Sequence, residues 1–218
     1  FRRRLAYDEL LSNQLALALV RSKMRKRSGR EIKAAGQLGA RIQASLPFKP
    51  THAQTRSVSE IKADMESPNA MLRLLQGDVG SGKTYVALMA MLHAVEAGAQ
   101  AAMLAPTEIL ARQHGSNLQA MLQDNGIVLE ILTGRDQGKK RKAILERLEN
   151  GEIDILVGTH ALIQGDVVFR DLALAVIDEQ HRFGVHQRLM LAAKGEGRLD
   201  VLVMTATPIP RTLTLALY

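Results

Sequence analysis

Eight consecutive residues carry the strongest chemical signal: Gly77-Asp78-Val79-Gly80-Ser81-Gly82-Lys83-Thr84 fits G-x-x-x-x-G-K-[ST] in full. Glycines at these positions let the chain wrap with its N–H groups turned inward, and the N-terminus of the helix that follows adds partial positive charge. Both properties suit a triphosphate. Lys83 is expected to reach the β and γ phosphates, and the Thr84 hydroxyl to take one position on a magnesium ion, which prefers oxygen ligands. About a hundred residues on, an apolar run ends in Asp178-Glu179-Gln180-His181. Adjacent carboxylates at the end of a buried strand are costly unless compensated. A cation compensates them: Asp178 would hold magnesium directly or through water, and Glu179 would orient the attacking water. The plainer alternative is a helix N-cap Asp followed by a first-turn Glu.

The elements needed to position these groups are legible. Apolar runs at 71–76, 101–105, 127–132, 153–158, 172–177 and 201–204 alternate with amphipathic stretches. Strands buried on both faces of a parallel sheet, joined by crossover helices, require this pattern. The expected fold class is therefore α/β, with the phosphate loop between the first strand and a helix over 85–95. Upstream, Leu11, Leu15, Ala18 and Leu19 predict a long helix over 5–24. A shorter helix is expected over about 31–44, and Pro47 and Pro50 then enforce an extended link. The division predicted is a basic helical linker, 1–45, and a nucleotide-binding lobe, 46–218.

Charge is unevenly placed. Residues 1–30 hold nine Lys and Arg against Asp8 and Glu9, which accounts for the whole net charge of +7, and the remainder is balanced. A local attraction for a polyanion follows, nucleic acid first, with a solvated helix face as the alternative. A second cluster, Arg135, Lys139, Lys140, Arg141 and Lys142, shares its segment with Glu146 and Glu149 and reads as a solvated face. With no Cys, a disulfide scaffold and a Cys-ligated zinc site are excluded. No run of about 18 apolar residues is present, so a cytoplasmic protein is expected. Four Phe, three Tyr and no Trp leave little for a base-stacking surface.

Further blocks narrow the class. The strand over 201–204 leads into Thr205-Ala206-Thr207-Pro208, Gly158-Thr159-His160 follows another, and Asp-Glu-x-His together with Thr-Ala-Thr resembles superfamily 2 helicases. Leu46-Pro47-Phe48 with Thr51-x-x-Gln54, the phosphate loop, Ala105-Pro106-Thr107-Glu108-Ile109-Leu110-Ala111-x-Gln113-His114, Gly158–Leu162, 178–185 and 204–212 occur in the order of the RecG family of ATP-dependent DNA helicases, which the chain resembles over 46–217. The translocase lobe of transcription-repair coupling factors is similar too, but Gln180 and Leu46-Pro47-Phe48 favour RecG. Pro50 departs from the family pattern and puts only the local loop shape in question.

The resemblance implies a first RecA-like lobe that binds ATP and magnesium. It implies that Phe48 lies against adenine, with core packing as the alternative. Gln54 would pair with adenine N6 and N7, although Thr51-x-x-Gln54 is equally a helix capping box. Pro106, Thr107, Arg112, Thr159 and His160 would touch the backbone of one DNA strand, against the alternative that Thr107 caps a helix and His160 is a satisfied loop residue. Gln180, His181, Thr205 and Thr207 would couple nucleotide state to DNA. Family comparison further implies a fragment of a larger monomeric helicase. A second RecA-like lobe supplies the arginine finger, a wedge domain binds the junction, and branched or duplex DNA is the partner. An NTPase that does not act on DNA, and a non-catalytic DNA-binding module built on residues 1–30, are the competing readings.

Overall fold

A computed structural model describes residues 29–122, 125–178, 194 and 198–206. The long helix expected over 5–24, together with Glu179, Gln180, His181 and Thr207, lies outside the described residues. The elements run α1 (Gln37–Ser45), α2 (His52–Met65), β1 (Leu72–Gln76), α3 (Lys83–Glu96), β2 (Gln100–Leu104), α4 (Glu108–Leu122), β3 (Leu129–Leu132), α5 (Gly138–Glu149), β4 (Ile155–Gly158), β5 (Leu172–Asp178) and β6 (Asp200–Thr205), with a 3₁₀ turn at His160–Ile163. The six strands form one sheet in the order β1-β6-β5-β2-β4-β3, and every pairing is parallel.

Alternation within the strands builds two cores. Ala101, Met103, Val157, Leu174 and Val176 face α3 and α4, whereas Ala102, Leu104, Leu156, Ala175 and Ile177 face Ile144 and Leu148 of α5. β2, β4 and β5 are buried at every position, which is why their sequences read as continuous apolar runs. α3 is enclosed nearly all round, with Leu88, Met91 and Leu92 inaccessible to solvent. Each such side chain contributes about 1.5–3 kcal/mol by burial, and truncating one to Ala costs roughly 2–5 kcal/mol. β1 lies at the sheet edge and is only half-buried. Arg73 on β1 pairs with Asp64 and Glu60 of α2 and places charge on that edge.

The helix expected over about 31–44 begins later, at Gln37. Tertiary hydrogen bonds have claimed the backbone before it: Gly29 N–H donates to Pro68 O at 2.8 Å, Ile32 N–H to Met65 O at 2.9 Å, and His93 Nε2 to Ile32 O at 2.9 Å. Ile32 and Ile42 are buried in the same core as α3. The described residues 29–45 thus pack on α3 and the end of α2, and Arg30 pairs with Asp171 just before β5.

Because all strands run the same way, their carboxyl ends share one edge. Gln76 registers with Thr205, Met204 with Asp178, Ile177 with Leu104, and Leu104 with Gly158. The phosphate loop and the segments that begin at Ala105, Thr159 and Thr205, together with Asp178, leave the sheet from that row, where ligands bind in open α/β sheets, whereas Phe48 and Gln54 precede β1.

Candidate nucleotide and strand-binding edge

The phosphate loop leaves β1 at Gly77, and α3 begins at Lys83. Gly82 occupies the N-cap position of α3 with φ +80°, and no side chain caps the helix, nor does an acidic residue occupy its first turn. A helix start without cap or carboxylate leaves its amides to an anion. The positive φ demands glycine at Gly82, and a Cβ there would lie 2.3 Å from Gln54 Nε2, so the Gln54 side chain would have to move. Lys83 Nζ donates to Gly77 O at 2.6 Å and Asp78 O at 2.8 Å, which folds its ammonium back over the loop. Val79 at the loop crest is 90% exposed.

The nucleotide-side residues gather around this loop. Thr51 and Gln54 form a complete capping box at the start of α2: Gln54 N–H donates to Thr51 Oγ1 at 3.2 Å, and Thr51 N–H donates to Gln54 Oε1 at 2.8 Å. Gln54 Nε2 then donates to Ser81 O at 2.9 Å. The cap reading of Gln54 is therefore realised, and the same amide touches the phosphate loop. Phe48 stands edge-on to Tyr85, with ring centroids 5.7 Å apart, yet remains 43% exposed beside a cleft formed by Gln43, Ala44, Leu46, Pro47, Lys49 and Pro50. Tyr85 donates to Gln43 Oε1 at 2.9 Å, and burial pushes its hydroxyl pKa up.

Asp178 closes β5, one strand beyond β6, and its side chain is 12% exposed. The ends of β1 and β5 are two strand spacings apart, about 10 Å. Thr84, in the first turn of α3, and Asp178, at the end of β5, are the residues that would hold a magnesium ion at this edge. Magnesium takes oxygen ligands and retains waters, so a hydroxyl, a carboxylate and phosphate oxygens fit it. Asp178 Oδ2 accepts a hydrogen bond from His114 Nε2 of α4 at 2.7 Å. Sequence reasoning assigned His114 no role, because its partner lies 64 positions away and neither spacing nor residue type links them.

On the far half of the edge, Ala105 N–H donates to Gly158 O at 2.8 Å, so the two candidate strand-contacting loops adjoin. Thr107 caps α4, with Leu110 N–H donating to Thr107 Oγ1 at 3.3 Å. The Thr159 side chain is turned inward, 2% exposed, and accepts from Ala161 N–H at 3.5 Å. The Thr159 hydroxyl caps the 3₁₀ turn, and His160 is the exposed residue of that loop. Arg112 and Ile109 are exposed on α4, and Pro106 is half-buried. The 135–142 cluster is largely neutralised, since Arg135 pairs with Glu108, Lys140 with Asp136, Arg141 with Asp166 and Lys142 with Glu146. Burial raises the Asp136 pKa, but Lys140 and the Thr133 donors outweigh it and hold the carboxyl below its usual range.

Comparison with known proteins gives these positions a family. The profile of the DEAD/DEAH box helicases matches residues 51–215. The chain belongs to the DEAD/DEAH box helicase family. The chain is 50% identical over 218 residues to the ATP-dependent DNA helicase RecG of Haemophilus influenzae, covering 99% of the chain and 32% of that relative. It is also 50% identical to RecG of Bacillus subtilis, covering 100% of the chain and 32% of the relative. The solved structure of RecG bound to a three-way DNA junction superposes with a TM-score of 0.87 at 47% identity, covering 100% of this chain and 29% of that one. A DEAD box protein from Methanococcus jannaschii, 19% identical with a TM-score of 0.61 over 87% of this chain and 52% of that one, shares the fold. The chain spans about a third of the length of the curated relatives it matches. The RecA-like α/β fold expected from the sequence is the fold observed.

Proposed function

We propose that this chain is the ATP-binding lobe of a DNA helicase that uses ATP hydrolysis to remodel branched DNA, such as Holliday junctions and stalled forks, in recombination and repair. The observation that carries it is the convergence of the Lys83 loop, Thr205 and Asp178 on one sheet edge. Support for the substrate comes from the similarity to RecG helicases, one of them solved on a three-way junction. The same similarity favours this reading over a transcription-coupled translocase or an NTPase that does not act on DNA.

In this mechanism Gly77, Asp78, Val79, Gly80, Ser81 and Gly82 wrap the phosphates with backbone N–H groups, and Lys83 swings from its loop carbonyls to the β and γ phosphates. Phe48 and Gln54 hold the adenine, for which Gln54 Nε2 leaves Ser81 O. Thr84 and Asp178 hold the magnesium ion, which neutralises phosphate charge when bound. Glu179, next in the chain, orients the attacking water. Gln180, His181, Thr205 and Thr207 transmit nucleotide state to the strand-contacting edge, where Pro106, Thr107, Arg112, His160 and the main chain at Thr159 meet sugar and phosphate without reading bases.

Residues 1–45 act as a basic linker toward a junction-binding wedge domain, and 46–218 as the first lobe of a monomeric, cytoplasmic enzyme. A second RecA-like lobe completes the site with an arginine finger, whose contribution to related phosphoryl transfers is about 10³–10⁵ in rate. Among the described residues no helix is long and apolar enough to cross a membrane. The decisive measurement is ATP turnover with and without three-way junction DNA, for this chain and for the full-length protein. Junction-stimulated turnover by the full-length protein, and little by the lobe alone, is expected. Turnover indifferent to DNA in the full-length protein contradicts the proposal.

A further inference from the structure

Asp178 is the carboxylate assigned to the metal, and the side chain that holds it comes from a helix outside the phosphate loop. His114 sits in the second turn of α4, which packs on β3 and β4 and against α3. Its ring is 14% exposed, and Nε2 lies 2.7 Å from Asp178 Oδ2. A carboxylate only accepts, so Nε2 is the donor and the ring carries its proton on that nitrogen. Two short, largely buried side chains joined in this way lose their rotational freedom together. With Oδ2 tied to α4, the Asp178 carboxylate cannot turn about its Cβ–Cγ bond, and Oδ1 keeps a fixed direction.

We propose, building on the function proposed above, that His114 is a positioning residue for the metal: it fixes the Asp178 carboxylate so that the remaining oxygen meets magnesium or a magnesium-bound water. Outer hydrogen bonds to ligating groups act in this way generally, and their removal costs about 10- to 100-fold in metal affinity. A residue that merely fastened α4 to the sheet would affect folding stability without selecting the metal. The two roles separate by readout.

The experiment uses the full-length helicase with ADP and Mn²⁺ as the probe, reading free Mn²⁺ by electron paramagnetic resonance. His114→Ala, His114→Gln, His114→Met and Asp178→Ala are compared, with metal-free ADP affinity in EDTA and the thermal midpoint measured for each. His114→Ala and His114→Met are expected to weaken Mn²⁺ affinity about 10- to 100-fold, while His114→Gln, whose amide N–H can replace Nε2–H, recovers most of it. Gln and Met are close in volume, so their difference isolates the hydrogen bond even if the Ala variant folds poorly. Wild-type Mn²⁺ affinity in His114→Met, or equal losses in the Gln and Met variants, overturns the positioning role. If His114→Met binds Mn²⁺ as wild type while Asp178→Ala loses it, only this role fails. If Asp178→Ala retains wild-type affinity, the assignment of Asp178 in the proposed function fails with it.

Discussion

Gly77 donates its backbone N–H to the carbonyl oxygen of Thr205 at 3.2 Å, which ties the first residue of the phosphate loop to the last residue of β6. Thr205 is also registered against Gln76, and its neighbour Met204 against Asp178. The loop, the Thr-Ala-Thr segment and the acidic strand end are therefore one hydrogen-bonded row. A shift of β6 along its axis would move the phosphate loop with it, because the bond is made by backbone atoms and survives side-chain change.

Lys83→Ala removes the donor to Gly77 O and Asp78 O as well as the cation facing the phosphates. Turnover of the full-length enzyme is expected to fall by about 10²–10³. Nucleotide binding, followed by fluorescent ADP, should fall with it, while the salt-sensitive attachment to DNA persists. Intact nucleotide binding in this variant would show the loop to be assigned wrongly.

Gly82→Ala and Gly80→Ala separate backbone strain from crowding. Both residues have φ +80°, but a Cβ at Gly80 meets nothing within 4 Å, whereas one at Gly82 meets Gln54 Nε2. The expected cost is about 1–2 kcal/mol at Gly80, and roughly 1 kcal/mol more at Gly82 from the displaced Gln54 hydrogen bonds. Urea denaturation of the two single variants and of Gly82→Ala with Gln54→Ala measures this. The second change should be less costly in the Gly82→Ala background than alone.

Asp200 supplies a pH test. Its side chain is buried, Oδ1 accepts from Met71 N–H at 2.6 Å, and Oδ2 has no hydrogen-bond partner among the described residues. Burial pushes its pKa up from 3.8 to about 7, against the Met71 hydrogen bond. The native state thus binds a proton that the unfolded chain releases. This contribution to stability is complete below about pH 4 and is lost as pH rises to about 7, at up to about 1.4 kcal/mol per pH unit. His93 acts in the opposite sense: burial lowers its pKa, so protonation below its usual 6.5 destabilises the fold. The difference between Asp200→Asn and wild type cancels His93, and it should move in favour of the Asn variant from pH 4.5 to pH 8. A pH-independent difference in denaturation midpoint would refute the Asp200 shift.

Thr51 and Gln54 divide stability from base recognition. Thr51→Ala removes one half of the capping box and is expected to cost about 1 kcal/mol in chemical denaturation. If Gln54 pairs with adenine, Gln54→Ala lowers the preference for ATP over GTP by roughly tenfold, the value of one or two hydrogen bonds. Competition titrations with the two nucleotides read this directly, and an unchanged preference leaves Gln54 as a cap alone.

The sheet was legible because β2, β4 and β5 are buried on both faces and so cannot carry polar residues between apolar ones. The phosphate loop was legible because its glycines, lysine and hydroxyl are contiguous. What the sequence withheld is tertiary. Strand order, which inserts β6 between β1 and β5, has no local signature. Residues 31–36 have helical composition, yet their backbone bonds to Met65 and His93 instead. The His114–Asp178 contact and the buried Asp200 depend on partners more than sixty residues away. The burial of Thr159 depends on the 3₁₀ turn that follows it, which no local motif announces.

The interposition of β6 also bears on how the lobe is made. Among the described residues β1 has no sheet neighbour other than β6, and the hydrogen bond from Met71 to Asp200 spans 129 positions. At translation rates of about 5–20 residues per second, β1 leaves the ribosome on the order of ten seconds before its partner exists. Throughout that interval the nascent chain carries two unmatched strand margins, inviting chaperone capture. Maturation of the nucleotide pocket is therefore timed by the emergence of a single late strand.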